Sequence, residues 1–128
     1  MNDQQTPVSI KLRTRSRELE LEYSNGEKYA LSCEYLRVYS PSAEVLGHGP
    51  GQEVLQTGKI GVSITAIKPV GNYALQLVFD DGHDTGLYSW GYLYQLCTDQ
   101  DSKWQHYLDR LAEAGANRDP DVQVLNLD

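Results

Sequence analysis

The sequence predicts an α+β domain, mostly antiparallel β-sheet with short helices, built from two related hairpin–helix modules and a C-terminal helix. Three observations support this fold class: several short segments alternate apolar and polar residues, two Asx-Gly dipeptides separate such segments, and serines precede short helical patterns. At 128 residues the chain has the size of one domain, which can bury about two-thirds of its unfolded surface.

The first module begins with three predicted strands. Period-two alternation starts at Val8 and recurs in 18–23, where Leu19 and Leu21 would face inward. Asn25-Gly26 then supplies the dipeptide that a tight hairpin turn prefers, because both central residues need positive φ. A third strand is predicted over 28–31.

A short helix and a long loop are predicted to follow. Ser32 is placed as the helix N-cap, with apolar residues on one side up to Tyr39, and Pro41 ends the helix. The segment 40–56 holds two prolines and three glycines, so it is predicted to be one long loop.

The second half repeats this order of elements. Strands are predicted over 60–67 and 73–79, with a turn at 68–72 between them. A helix over 87–96 would be capped by Ser89, and a more polar helix over 102–114 would end at Gly115.

An internal correspondence relates the two halves. Placing Ser32 on Ser89 aligns two Tyr-Leu pairs and, with a one-residue shift, puts Asn25-Gly26 on Asp81-Gly82. Each half is therefore predicted to be strand, Asx-Gly turn, strand and Ser-capped helix. The correspondence assigns Asp81-Gly82 to turn geometry.

The net charge of −7 lies entirely in the C-terminal part of the chain. Residues 1–79 carry eight acids and eight bases, whereas 80–128 carry ten acids and three bases. An acidic surface repels a phosphate backbone, so no nucleic-acid partner is expected. The bases that alternate from Lys11 to Arg17 are interpreted as one solvated strand face, partly matched by the acids of the next strand.

The remaining bulk properties favour a cytoplasmic protein. No apolar run has the length of a membrane span and no secretory signal pattern is present, so no membrane partner is expected. Cys33 and Cys97 are interpreted as a reduced, buried pair. The predicted organisation is a disordered N-terminus over 1–7, a single domain over 8–115 and a loose acidic tail over 116–128.

Histidines and carboxylates provide the candidates for chemistry. His83 is flanked by Asp80, Asp81 and Asp84, a group that suits a metal ion or acid–base work but is also common at a hairpin tip. His48 and Glu44 share the long loop, where they could form a metal-ligand pair. His106 is predicted to be a partly buried structural residue.

No recognised catalytic motif is present, so the chain is predicted not to be an enzyme.

A family resemblance follows from an ordered set of motifs. These are Leu36-Arg-Val-Tyr-Ser-Pro-Ser-Ala-Glu-Val45, Gly47-His-Gly49, Gly58-Lys59, Ile67-Lys-Pro-Val-Gly71, Asp81-Gly-His-Asp84 and Gly86-Leu-Tyr-Ser-Trp90. Together they resemble a small bacterial family of domains of unknown function, similar to the N-terminal domain of gamma-butyrobetaine hydroxylase. The resemblance covers roughly residues 8–97. The catalytic domain of the hydroxylases is absent from this sequence, so their activity does not transfer.

The resemblance also implies that a zinc site of the related domain has been lost here. The hydroxylase domain binds a structural zinc through three cysteines and one histidine; the cysteine positions match Ser40, Ser42 and Val45, and the histidine matches His83. Hydroxyls and valine do not replace thiolates, so no cofactor is expected. Similar domains are also fused to P-loop proteins that carry iron–sulfur clusters, which implies work beside metal-cofactor machinery.

Two functional hypotheses result. The first is a non-catalytic binding or adaptor module for a protein partner, whose interaction surface consists of Arg37, Glu44, His48, His83 and Trp90. The second is a protein that binds zinc or iron through His83, Asp84, His48 and Glu44. For Trp90, core packing is the alternative to a role at an interface.

Overall fold

The computed structural model describes residues 6–122. Within them, two three-stranded antiparallel sheets combine with four short helices. The first sheet has the order β1-β2-β3 and comprises β1 (Ser9–Arg13), β2 (Glu18–Glu22) and β3 (Lys28–Ser32). The second has the order β4-β5-β6 and comprises β4 (Ile64–Val70), β5 (Ala74–Phe79) and β6 (Leu87–Ser89). The helices are α1 (Cys33–Val38), α2 (Ala43–Leu46), α3 (Trp90–Thr98) and α4 (Gln100–Ala114).

The two predicted hairpin–helix modules are confirmed. Gly26 and Gly82 adopt φ of 91° and 89° in the turns before β3 and β6, a conformation that glycine reaches without a steric penalty. Ser32 accepts the Tyr35 N–H at the start of α1, and Ser89 accepts the Tyr92 N–H at the start of α3. The fold class predicted from the sequence is therefore correct.

One core joins the two modules. The inward side chains of both sheets pack with α1 and α3, and the fully buried members include Leu19, Leu31, Leu77 and Leu93. Tyr107 and Leu111 of α4 form a smaller cluster with Val38. Gly115 ends α4 in the left-handed conformation, as predicted. Both cysteines are free and buried, as predicted.

The strand and loop predictions need four corrections. Residues 60–61 form a turn instead of beginning a strand, because the Ile60 N–H bonds to Arg118 O. Strand β4 continues through Pro69. This strand lies at the edge of its sheet, where not every backbone N–H needs a partner, so a proline is tolerated there. The loop over 40–56 contains α2, since Ser42 caps Glu44 N–H. Residues 87–89 form β6 instead of the start of a helix.

The basic alternation is only partly on one strand face. Lys11 and Arg13 face Glu20 and Glu18 across β1 and β2, and Arg13 forms an ion pair with Glu20. Arg15 and Arg17 lie beyond the end of β1, in the turn, so the prediction that all four share a strand face is wrong.

The two ends of the chain are only partly described. Residues 1–5 of the predicted disordered N-terminus and 123–128 of the predicted tail lie outside the described residues. Within the tail, Arg118 bonds to Glu34 through two guanidinium nitrogens, at 2.7 and 2.8 Å, and the Asn117 carbonyl accepts the Gly58 N–H. In the described part of the chain, no helix combines the length and apolar character needed to cross a membrane.

Candidate functional site

Three segments meet around a group of polar side chains, some buried and some exposed. They are the end of α1 with the residues after it, α2, and the turn between β5 and β6. We call this group the polar junction and define it as Arg37, Ser40, Ser42, Glu44, Asp81, His83 and Thr85. Four of its members are almost fully buried, with exposed fractions of 7% for Arg37, 0% for Ser40, 6% for Ser42 and 4% for His83.

His83 joins the turn to both other segments. Its Nδ1 lies 3.1 Å from Glu44 Oε2 and its Nε2 lies 2.8 Å from Ser40 Oγ. An ionised carboxylate can only accept, so Nδ1 carries the proton and Nε2 accepts from the Ser40 hydroxyl. Burial, together with the positive charge of Arg37, lowers the pKa of His83 below 6.5, although Glu44 and Asp81 oppose that shift.

Asp81 is the second attachment point of the turn. Its Oδ2 accepts hydrogen bonds from Arg37 Nε at 2.8 Å and from Lys59 Nζ at 2.7 Å, and its Oδ1 accepts the His83 N–H. Burial alone would raise the pKa of Asp81, but the bonds from Lys59 and Arg37 outweigh it and hold the pKa at about 2. Arg37 also donates to Gln56 Oε1, so its guanidinium links α1, the long loop and the turn.

A third attachment joins Ser42 to the strand side of the turn. Ser42 Oγ lies 2.7 Å from Thr85 Oγ1, and the Ser42 N–H bonds to Ser40 Oγ. The next residue, Gly86, packs so closely that a Cβ there would lie 2.3 Å from Ser40 Oγ. The polar junction is therefore tightly packed as well as hydrogen-bonded.

The order Ser40–His83–Glu44 matches the connections of a hydrolase triad, but the geometry does not suit catalysis. Ser40 has no exposed surface, so no substrate reaches its Oγ. In residues 6–122, every buried side-chain nitrogen and oxygen has a hydrogen-bond partner. These groups hold segments together, which is a structural use of polar side chains.

The residues at the positions expected to carry thiolates do not fit a zinc ion. Ser40 and Ser42 offer hydroxyls, Val45 offers no donor, and the Ser40 hydroxyl is already bonded to His83. Residues 6–122 contain no group of three or more His, Cys, Asp or Glu that could hold a metal ion. Of the predicted metal ligands, the structure brings Glu44 and His83 together, whereas Asp84 and His48 are exposed.

The predicted interaction residues do not form one surface. Arg37 and His83 are buried in the polar junction, and Glu44 lies at its edge with a side chain 64% exposed. Trp90 lies at the other end of the second sheet, because β6 runs back along β5 and pairs Ser89 with Ala74. Five residue steps along β5 separate these ends, about 17 Å. Trp90 packs against the core and donates from Nε1 to Asn72 O.

Sequence reasoning missed how the junction is connected. Gln56 and Thr85 were not singled out, Lys59 appeared only within a family motif, and Asp81 was assigned to turn geometry and not to a connection between segments. It has both roles, because the turn directs its carboxylate toward Arg37. Arg37 and Asp81 are 44 residues apart, and no local pattern pairs them.

Acid is expected to destabilise the protein in two steps. Above pH 6.5 the contribution of His83 is complete; below it, the unfolded chain binds a proton that folded His83 resists, so the free energy of unfolding falls. Asp81 adds a second loss as the pH falls from 3.8 toward about 2. Urea denaturation between pH 7 and about pH 5 should show the first step.

Two substitutions test whether His83 causes the first loss of stability. His83→Gln should remove it, and His48→Gln, at an exposed loop position, should leave it in place. A free energy of unfolding that stays constant from pH 7 to about pH 5 would contradict this account of His83.

The fold and the junction define a class: a small α+β domain of two sheet–helix modules whose loops are held by buried polar side chains. The family model described as "Gamma-butyrobetaine hydroxylase-like, N-terminal" matches residues 10–94, and the chain belongs to this family. The resemblance stated from the sequence motifs is thereby confirmed. No curated protein matches the chain.

Solved structures agree with this assignment. Two structures determined by NMR are 51% and 54% identical, with TM-scores of 0.81 and 0.76; the alignments cover 95% and 96% of this chain and 96% and 91% of those chains. A crystal structure from Acidithiobacillus ferrooxidans, described as a protein with unknown function of the DUF971 family, is 36% identical. Its TM-score is 0.61, over 75% of this chain and 97% of that one.

Proposed function

We propose that the protein is a non-catalytic binding module, an adaptor that holds a protein partner on one exposed loop. We call this region the loop surface and define it as Glu44, Leu46, His48 and Val54. The observation that carries the proposal is a pair of exposed apolar side chains, 47% exposed for Leu46 and 51% for Val54. The Val54 N–H bonds to Val45 O, which brings the two sides of the loop together next to these side chains.

The polar junction supports this role because it anchors the loop. Ser40, Ser42 and His83 fix the base of the loop, so the loop surface is presented by a rigid scaffold. Binding residues are commonly carried on loops positioned in this way. An exposed apolar pair on a loop that also carries the exposed carboxylate of Glu44 suits a partner with an apolar anchor and a cation.

The proposal also includes the kind of protein to which the partner belongs. Because similar domains are fused to P-loop proteins that carry iron–sulfur clusters, we place the partner among iron–sulfur or other metal-cofactor proteins of the cytoplasm. The net charge of −7 favours a protein partner over nucleic acid or an anionic membrane surface.

Affinity capture tests the loop surface. The tagged protein, a loop variant (Leu46→Ser with Val54→Ser) and a control variant (Val8→Ser with Tyr73→Ser) are compared on extracts of the cells that make the protein. Val8 and Tyr73 are also exposed, at 63% and 52%, but lie elsewhere. One protein should be retained by the parent and the control and lost from the loop variant. The purified partner should then bind the loop variant at least about tenfold more weakly, which corresponds to about 1.4 kcal/mol.

Two results would overturn the proposal at different levels. Equal retention by both variants would exclude the loop surface as the binding region. A purified partner that contains neither iron nor another metal cofactor would exclude the proposed setting.

A second candidate function is metal binding, and one contact favours it. Glu44 Oε2 and His83 Nδ1, a carboxylate oxygen and an imidazole nitrogen, lie 3.1 Å apart and are ligand types that zinc and iron accept. If this candidate is correct, adding Zn²⁺ or Fe²⁺ should shift the NMR signals of the His83 ring, while those of His106 stay in place. Unchanged His83 signals up to about 1 mM metal would exclude it.

A further inference from the structure

An open groove lies between α4 and the long loop. It has a volume of about 450 Å³ and is lined by Tyr39, Glu53, Ser102, Lys103, His106 and Arg110. This volume falls within the range of small-molecule sites. His106 is exposed here, so the prediction that it is a partly buried structural residue is wrong.

The groove collects basic side chains from the most acidic part of the chain. Residues 80–128 contain only three bases against ten acids, and two of those bases, Lys103 and Arg110, line this groove. His106 lies between them, and the spacing i, i+3, i+7 places all three on one face of α4. The groove therefore has a local concentration of basic side chains, although the protein as a whole has a net charge of −7.

Within the described part of the chain, neither Lys103 nor Arg110 forms an ion pair, although the Glu53 carboxylate also lines the groove. The ion pairs there involve Arg13, Arg37, Lys59, His83 and Arg118. Lys103 Nζ lies 5.2 Å from the centre of the Tyr39 ring, and Arg110 Nη2 lies 3.4 Å from the backbone oxygen of Glu53. Glu53 Oε2 accepts the Gly51 N–H, so this carboxylate is held by its own loop.

We propose that this groove binds the phosphate group of a small phosphorylated molecule. Two fixed positive charges match a phosphate dianion, and the planar guanidinium of Arg110 can donate to two of its oxygens. The Lys103 ammonium and the His106 ring supply further donors, and the remaining groove volume accommodates the rest of the molecule. None of the residues of the loop surface lines the groove, and the proposal does not depend on the adaptor role.

Inorganic phosphate serves as the first probe. Its addition to the isotope-labelled protein should shift the NMR signals of the His106 ring and the Arg110 side chain along one saturable curve, with a dissociation constant on the order of 1 mM. The ring signals of His48, which lies outside the groove, should stay in place. The same curves recorded with malonate test the choice of anion, since its two carboxylates also carry a double negative charge.

Variants of the groove should change its affinity for phosphate in opposite directions. Lys103→Gln and Arg110→Gln should each weaken phosphate binding at least about fivefold, whereas Glu53→Gln should tighten it, because the variant removes a negative charge from the groove. Lys68→Gln removes an exposed cation from the second sheet and should have no effect. Circular dichroism spectra check that each variant is folded.

Three outcomes would overturn the proposal. They are the absence of saturable shifts up to about 10 mM phosphate, equal weakening by Lys68→Gln, and tighter binding of malonate than of phosphate. The last would assign the groove to carboxylates.

Discussion

Replacing Arg37 by methionine should lower the free energy of unfolding by about 2–3 kcal/mol. Its guanidinium is nearly buried and donates to Asp81 and Gln56, so each of these acceptors loses one hydrogen bond in the variant. This loss of unfolding free energy is smaller than that for breaking a fully buried ion pair. Asp81 keeps its bond to Lys59, and its side chain is 21% exposed to solvent. Urea denaturation measures the difference.

Lys59→Met is the matched control for Arg37→Met. Lys59 donates to the same carboxylate oxygen but from a side chain that is 21% exposed, so its loss should cost less than about 1 kcal/mol. The double variant Arg37→Met with Asp81→Asn should be less destabilised than the sum of the single variants. An Arg37→Met variant as stable as Lys59→Met would show that the buried pair does not hold the turn.

Replacing Gly86 by alanine should be the second large effect, about 1–3 kcal/mol. The new Cβ would lie 2.3 Å from Ser40 Oγ and 3.4 Å from Pro41 Cδ, in a region with no spare volume. Ser40 has to move, and its hydrogen bond to His83 is the first contact affected. The variant should therefore shift the NMR signals of the His83 ring as well as lower the stability.

Gly49→Ala is the control for this substitution. A Cβ added at Gly49 would have no neighbouring atom within 4 Å, and this glycine lacks a positive φ. Alanine there should therefore leave both the stability and the His83 signals almost unchanged. Equal effects at the two glycines would mean that close packing around Ser40 does not matter.

Local features explain why much of the fold could be predicted. A serine cap and an Asx-Gly turn depend on residues within four positions of each other, and both recur in the two modules with the same backbone geometry. The period-two burial of Leu75, Leu77 and Phe79 is equally local and places β5 correctly.

Features that depend on tertiary contacts were the ones that sequence reasoning missed. The ladder of β4 shifts register between Ile64 and Ala66. Residues 60–61 bond to Arg17 and Arg118, which are distant in sequence, so the apolar alternation over 60–67 does not reveal where β4 begins. The position of Trp90 depends on the return of β6 along β5. The choice of Ser40 and Glu44 as partners of His83 depends on how the long loop packs, so the sequence singled out His83 but not its contacts.

The polar junction gives a physical account of residues that first suggested chemistry. Ser40, Ser42 and Val45 stand where the related hydroxylase domain is expected to have zinc thiolates, and their surroundings are now a hydrogen-bonded, tightly packed region. His83 keeps a connecting role there, between the second turn and the long loop.

The protonation state of the His83 ring tests this account most directly. A long-range ¹H–¹⁵N NMR spectrum at about pH 7 should show a neutral ring with its proton on Nδ1, because Glu44 accepts from that nitrogen and Ser40 donates to the other. The Ser40→Ala variant should shift the Nε2 signal most. A ring protonated on Nε2 alone, or on both nitrogens, would contradict the arrangement of Ser40, His83 and Glu44 on which the polar junction rests.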